Sequence, residues 1–131
     1  DTFVAQRKAN FEHLRETLAS LKGALILPQA TAGADPSWFG FPITLGPDAN
    51  CQRVDLIRYL DQQRIGTRLL FAGNLTRQPY FAGRPFRVSG ALDGADQIMN
   101  DTFWVGVYPG LGEAHLDYAA MQIRQFFGDG F

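Results

Sequence analysis

Val4, Phe11, Leu14, Leu18 and Leu21 recur at intervals of seven, three, four and three. That spacing predicts one apolar stripe along a first α-helix, with Arg7, Lys8, Glu12, Arg15 and Glu16 on its wetter faces and Gly23 as its C-cap. Residues 24–27 read as a short buried strand closed by Pro28, and residues 29–36, with Gly33, Asp35 and Pro36, as a loop. Residues 37–45 (SWFGFPITL) are aromatic and β-branched enough for a strand. Pro42 lacks a backbone donor, which marks that strand as an edge or as locally bulged. After a turn at Gly46-Pro47-Asp48, residues 53–64 predict a second helix with Val54, Leu56, Ile57 and Leu60 on its apolar side. Residues 67–71 read as another short strand.

Residues 72–90 carry three Gly, two Pro and no helical period, and are expected to form a long surface excursion. Unstructured stretches of that length inside a compact domain tend to be functional. Asp93 is positioned to cap a short helix through Met99. Residues 102–108 (TFWVGVY) read as a strand stopped by Pro109-Gly110. From Gly112 onward, Leu116, Ala119, Ala120, Ile123 and Phe127 form the apolar face of a terminal helix ended by Gly128. Four helices and about four short strands, without regular βαβ alternation, predict an α+β fold with a small, mainly antiparallel sheet flanked by helices.

Composition narrows the function classes. A hydrophobic share of 46% with eleven Phe over 131 residues is enough for one packed domain. Twelve basic and thirteen acidic residues give a net charge of −1, which removes the electrostatic case for a nucleic-acid or membrane-surface partner. The single cysteine, Cys51, excludes an internal disulfide and a cysteine-based metal cluster built from this chain alone. No apolar run approaches the ~18 residues of a membrane span and no signal peptide is visible, so a cytoplasmic setting is expected. Asp1 opens directly into a helical pattern without an initiator Met, which suggests a chain cut from something longer.

Candidate chemistry is sparse. His13 and His115 sit on amphipathic helices among charged neighbours and read as surface residues; no metal-binding spacing is present. Cys51 stands between a turn and a helix start without a motif around it. Phosphate-loop patterns are absent. Lys8 and Lys22, the two lysines, fall on the first helix and look solvated, whereas a Schiff-base lysine needs desolvation. What remains is TRLLFAGNLTRQPY (67–80), which gathers Arg68, Asn74, Thr76, Arg77 and Gln78 between apolar residues. Arginine suits fork-like binding of phosphate or carboxylate, and the amides suit sugar hydroxyls. The same residues equally describe a loop whose arginines pair with acidic residues across an interface.

The blocks RKANFEHL (7–14), DPSWFGFPITL (35–45), RVDLIRYLDQQRIGTRLLFAGNLTRQPY (53–80), IMNDTFWVGVYPGL (98–111) and HLDY (115–118) resemble the C-terminal part of the DegT-type sugar aminotransferase family. The resemblance runs over essentially the whole chain and points to the dehydrase branch, the CDP-4-keto-6-deoxy-D-glucose 3-dehydrases of lipopolysaccharide biosynthesis. Where aminotransferases of the wider family tend to carry a His-Tyr-Pro-type segment, this chain reads Leu70-Phe71-Ala72.

The resemblance implies that residues 1–131 are one small C-terminal domain of a larger enzyme using pyridoxamine or pyridoxal phosphate, homodimeric, and inactive as this piece alone. It implies removal of the C3 hydroxyl of a nucleotide-linked 4-keto sugar, with the cofactor held by a large domain of the same polypeptide. In the branch a His replaces the usual Schiff-base Lys, and some members add a 2Fe-2S cluster; neither can be matched to residues here. By the family's architecture the small domain closes over the nucleotide sugar, with residues 68–80 facing the cleft. Arg68, Asn74 and Arg77 are then the expected substrate contacts. Trp38 and Phe39 belong to a motif near that cleft, though as strand aromatics they read as core. From the residues alone, a stand-alone α+β ligand-binding or oligomerisation module stays open.

Overall fold

The computed structural model describes residues 1–128; the last three residues of the expected domain lie outside the described ones. Helix α1 (Thr2–Thr17) continues through a 3-10 turn at Ala19–Leu21. Phe11, Leu14, Leu18 and Leu21 are buried as the stripe requires, but Val4 is 37% exposed, because the first turns of α1 extend past the core they would pack on. Leu18 caps α1; Gly23, with φ +108°, instead turns the chain after the 3-10 turn into the first strand.

Four strands follow that pattern: β1 (Leu25–Ile26), β2 (Gly40–Leu45), β3 (Thr67–Leu69) and β4 (Thr102–Gly106), ordered β1-β2-β4-β3 with every pair antiparallel. Each is shorter than its apolar run. Strand β2 is interior in the sheet order, against the expectation of an edge. Pro42 is tolerated because β1 reaches only Thr44 and Leu45, so beside Pro42 the side away from β4 has no strand and the missing N–H breaks no ladder bond.

Helices α2 (Arg53–Gln62), α3 (Asp93–Asp101) and α4 (Glu113–Phe126) complete the fold. Asp93 is the first helical residue of α3 rather than its cap, which is Leu92; Asp93 and Asp96 place negative charge in the first turn, where the helix dipole favours it. Gly128, with φ +72°, follows the C-cap Phe127 and ends α4. The core lies on one face of the sheet. There Phe41, Ile43, Leu45, Phe103, Val105 and Val107 meet Phe11, Leu14, Leu56, Leu60, Leu116, Ala120 and Ile123 of the helices. Each fully buried Leu or Phe among them contributes about 1.5–3 kcal/mol.

Asn10 is 2% exposed inside this core. Its Nδ2 donates to the carbonyls of Tyr108 at 3.0 Å and, more weakly, Val107 and Leu111 at 3.4 Å, pinning the β4–α4 connection to α1.

Candidate functional site

Successive strand residues face opposite ways, so the register that buries Phe103 and Val105 turns Trp104 to the other side of the sheet, with Gly40, Pro42 and Arg68. That outer face carries aromatic rings. The Trp104 indole lies so close to Gly40 that a Cβ there would fall 2.1 Å from its Cε3; only glycine fits beneath the ring. Its Nε1 donates to the Leu69 carbonyl at 3.2 Å. Phe39 packs 5.0 Å from Trp104, centroid to centroid, and Pro42, Leu70 and Phe71 complete a cleft of about 340 Å³.

Trp38 also lines this cleft but stacks on Phe11 at 3.8 Å, so it belongs partly to the core as expected. Phe39 does not: it is 73% exposed, because the strand begins only at Gly40 and leaves Phe39 outside the paired ladder.

The excursion leaves the sheet through a tight turn. The Phe71 N–H donates to the Leu69 carbonyl at 2.8 Å, and Phe71 takes φ +51°, a conformation that costs a bulky L-residue free energy. Gly73, at φ +60°, follows hard against Met99 of α3. Two 3-10 turns, Leu75–Arg77 and Pro79–Phe81, then shape the segment. Asn74 organises the first of them. Only 3% exposed, its Oδ1 accepts from the Thr76 N–H at 3.0 Å and the Thr76 hydroxyl at 2.7 Å, while its Nδ2 donates to Asp96 Oδ1 at 2.7 Å. Arg77 reaches the same carboxylate with two bonds of 2.6 Å, from Nε to Oδ1 and from Nη2 to Oδ2.

Hydrogen bonds from Arg77, and then from Asn74, hold the Asp96 carboxyl below its ordinary range, and Asp96 in turn raises Arg77. Farther along, Arg84 donates from Nε to the Tyr80 carbonyl at 2.9 Å and sets its guanidinium 4.1 Å from the Tyr80 ring centroid.

Of the three residues expected from sequence, Asn74 and Arg77 are thus brought together on Asp96, and Arg68 stands on the outer sheet face opposite Trp104, outside that group. Arg77 realises the ion-pair alternative, with a partner from its own domain. Asp96 itself escaped sequence reasoning. The available signal was charge: no Asp or Glu occurs from Gln62 to Leu92, while Arg64, Arg68, Arg77, Arg84 and Arg87 do, so the first carboxylates after that stretch, Asp93 and Asp96, were candidate partners for its arginines.

Elsewhere the chemistry is structural. His13 Nε2 meets Asp117 Oδ1 at 2.6 Å, joining α1 to α4, and exposed His115 accepts the Gly112 N–H at 3.2 Å. Cys51 lines a cleft of about 680 Å³ with Lys22 and Asp48, and burial followed by the charge of Asp55 pushes its thiol up, which keeps it protonated at neutral pH. Lys8 is half-buried and ion-paired with Asp35, and Lys22 is exposed. Neither stands in the desolvated pocket that a Schiff-base amine requires. No group of three or more His, Cys, Asp or Glu converges as a metal site among the described residues. No helix there is long and apolar enough to cross a membrane.

The sequence profile of the DegT/DnrJ/EryC1/StrS aminotransferase family matches residues 1–124. The chain belongs to that family. It is 56% identical over all 131 residues to the lipopolysaccharide biosynthesis protein RfbH of Salmonella typhimurium, of which it covers 30%. It is 47% identical over 124 residues to the dTDP-4-dehydro-2,6-dideoxy-D-glucose 3-dehydratase of Saccharopolyspora spinosa, covering 27% of that protein. Among solved structures, 93% of the chain superposes on 31% of the Escherichia coli GDP-4-keto-6-deoxy-D-mannose-3-dehydratase with bound hydrated PLP, at a TM-score of 0.82 and 23% identity. An aminotransferase of the same family from Brucella abortus gives 0.79 over 96% of the chain at 21% identity. These two likenesses establish the α+β fold expected from the element pattern. The chain spans about 30% of the length of the RfbH protein it matches.

Proposed function

We propose that this DegT-family chain is the small C-terminal domain of a nucleotide-sugar 3-dehydrase that works in the cytoplasm as a homodimer and removes the C3 hydroxyl of CDP-4-keto-6-deoxyglucose. The reading is carried by the uncovered outer face of the sheet. A domain whose own helices fill one side of its sheet leaves Phe39 and Phe71 exposed on the other, around the half-buried Trp104, beside Arg68 and next to a segment free of acidic side chains. Contiguous apolar surface rimmed by polar groups marks a contact face. The large cofactor-binding domain of the same polypeptide is the occupant that the partial coverage of the relatives favours. Pyridoxamine or pyridoxal phosphate supplies the electron sink for C3–O cleavage when bound, held by residues outside this chain.

In this arrangement Arg68 and Arg77 present exposed guanidinium groups to the sugar nucleotide's diphosphate, and Asn74 serves through the loop it fixes. The names of the relatives support 3-dehydration as the reaction class.

The test uses the full-length polypeptide with CDP-4-keto-6-deoxyglucose carrying heavy oxygen at C3. Release of the label into water is the expected result. Label retained on the sugar overturns the dehydrase reading, and equal turnover of GDP- and dTDP-linked analogues overturns the choice of CDP.

A further inference from the structure

We infer that Asp96 is a positioning residue that orients the Arg77 guanidinium for two-point binding of a diphosphate. The inference rests on the proposal that Arg77 faces the sugar nucleotide, and deepens it. A guanidinium has five N–H groups in one plane. Asp96 takes the Nε–H and one Nη2–H, at 2.6 Å each. The edge formed by Nη1 and the second Nη2–H is left over, and that edge matches two oxygens of one phosphate group. The exposures agree with this division: the Arg77 side chain is 60% exposed and Asp96 24%, so the anchored edge faces the domain.

The anchor is itself held. Asp96 Oδ1 also accepts from Asn74 Nδ2 at 2.7 Å, and Asn74, almost wholly buried, is tied through Oδ1 to both the N–H and the hydroxyl of Thr76. Carboxylate, amide and guanidinium therefore have a fixed arrangement before any ligand arrives. That removes the rotamer entropy a free arginine would lose on binding. The charge pattern adds a reason for a single carboxylate here. Among the described residues, Arg77 is the one arginine of the five between Gln62 and Leu92 with an ion pair. Asp96 fixes one guanidinium and leaves the positive character of the remainder intact.

The experiment is a double-mutant cycle on the full-length protein, with binding of CDP as the probe. Arg77→Ala is expected to weaken CDP binding about ten- to hundredfold, the usual range for a charged two-point contact. Asp96→Asn keeps the side chain's shape and one acceptor for Asn74, and is expected to weaken binding about three- to tenfold. The decisive reading is the double variant, which should bind no more weakly than Arg77→Ala alone. A carboxylate that merely supports the fold would lower affinity on both backgrounds by the same factor, and that outcome overturns the inference while the ligand role of Arg77 stands.

An Arg77→Ala variant with unchanged affinity overturns the underlying reading as well. Should Asp96→Asn not fold, Arg77→Lys gives a separate answer. It keeps the charge but loses the fork, and is expected to bind within about threefold of Arg77→Ala. Affinity restored to the parent value by Lys would show that orientation is irrelevant, and would refute the inference.

Discussion

Gly73→Ala is the substitution that most directly tests how the excursion is held. A Cβ at Gly73 would fall 2.4 Å from Met99 Cβ and 2.6 Å from Met99 Cα, so it meets the backbone of α3 and no flexible side-chain end. The position also has φ +60°, which costs an L-residue about 1–2 kcal/mol. Forcing the loop and helix apart adds about 1–3 kcal/mol of overpacking, for a total of about 2–5 kcal/mol against the closed excursion. The core need not bear that cost, because the segment can relieve it by opening locally.

Native-state hydrogen exchange separates the two. The Thr76 and Arg77 amides, which donate to Asn74 Oδ1 and to the Asn74 carbonyl, should lose protection by about thirtyfold or more. The Val105 amide in the sheet should lose distinctly less. Gly66→Ala is the control, since a Cβ there meets nothing within 4 Å. Unchanged protection at Thr76 would refute the packing argument, and equal loss at Val105 would refute the local-opening argument.

Asn10→Ala should lower the stability of the chain by about 1–3 kcal/mol in urea unfolding followed by tryptophan fluorescence, since it strands carbonyls inside the core. Asn10→Asp should be worse at pH 7 and recover toward the Ala value in acid, because an ionised carboxylate would face three carbonyl oxygens; parity of the two at pH 7 would contradict this. Phe71→Gly should stabilise the chain by about 0.5–1 kcal/mol, as release of left-handed strain outweighs the added chain entropy, while weakening turnover of CDP-4-keto-6-deoxyglucose by the full-length protein; a loss of stability would show that the exposed ring is held by its own domain. The Asp96 carboxyl is depressed in the folded state, so its contribution is fully present above the ordinary Asp value of about 3.9 and is lost as pH falls through the lower folded value. The Arg77 Nε–H resonance should therefore hold its bonded shift from pH 7 to 5 and lose it only below about 4; a change between pH 5 and 7 would count against the pair.

What the sequence discloses here depends on the range of the interaction involved. The Phe11–Leu14–Leu18–Leu21 stripe and the Leu56–Leu60 pair are local periodicities, and both are buried as their spacing demands. Pairing order is not local. Nothing in residues 40–45 says that β1 would stop after two residues, and so nothing says how an interior strand tolerates Pro42. The exposure of Phe39 was illegible for the same reason: an aromatic beside a strand reads as core until the ladder's first pair is known to be Gly40 with Gly106. The site shows the division most plainly. Arg77 and Asn74 were visible as residue types suited to anions and hydroxyls, but Asp96, nineteen positions away, acquires its role only through the packing of Gly73 on Met99.

Four departures from local rules lie side by side. Phe71 in a left-handed conformation, a strand tryptophan turned away from the core, a proline inside β2 and an exposed Phe39 gather at one cleft on the outer face. Two of them would be simple to repair for the stability of this domain alone, with glycine at 71 or a polar residue at 39, at no expense to the buried side. An interior consistent from helix stripe to sheet register, beside such a cluster, is what the proposed contact with a large domain would require. The same proposal accounts for a stretch from Gln62 to Leu92 that carries five arginines and no Asp or Glu. On the proposed reading, Arg77 meets the anion with the edge that Asp96 leaves over, and the other four arginines add positive character without an ion pair of their own among the described residues.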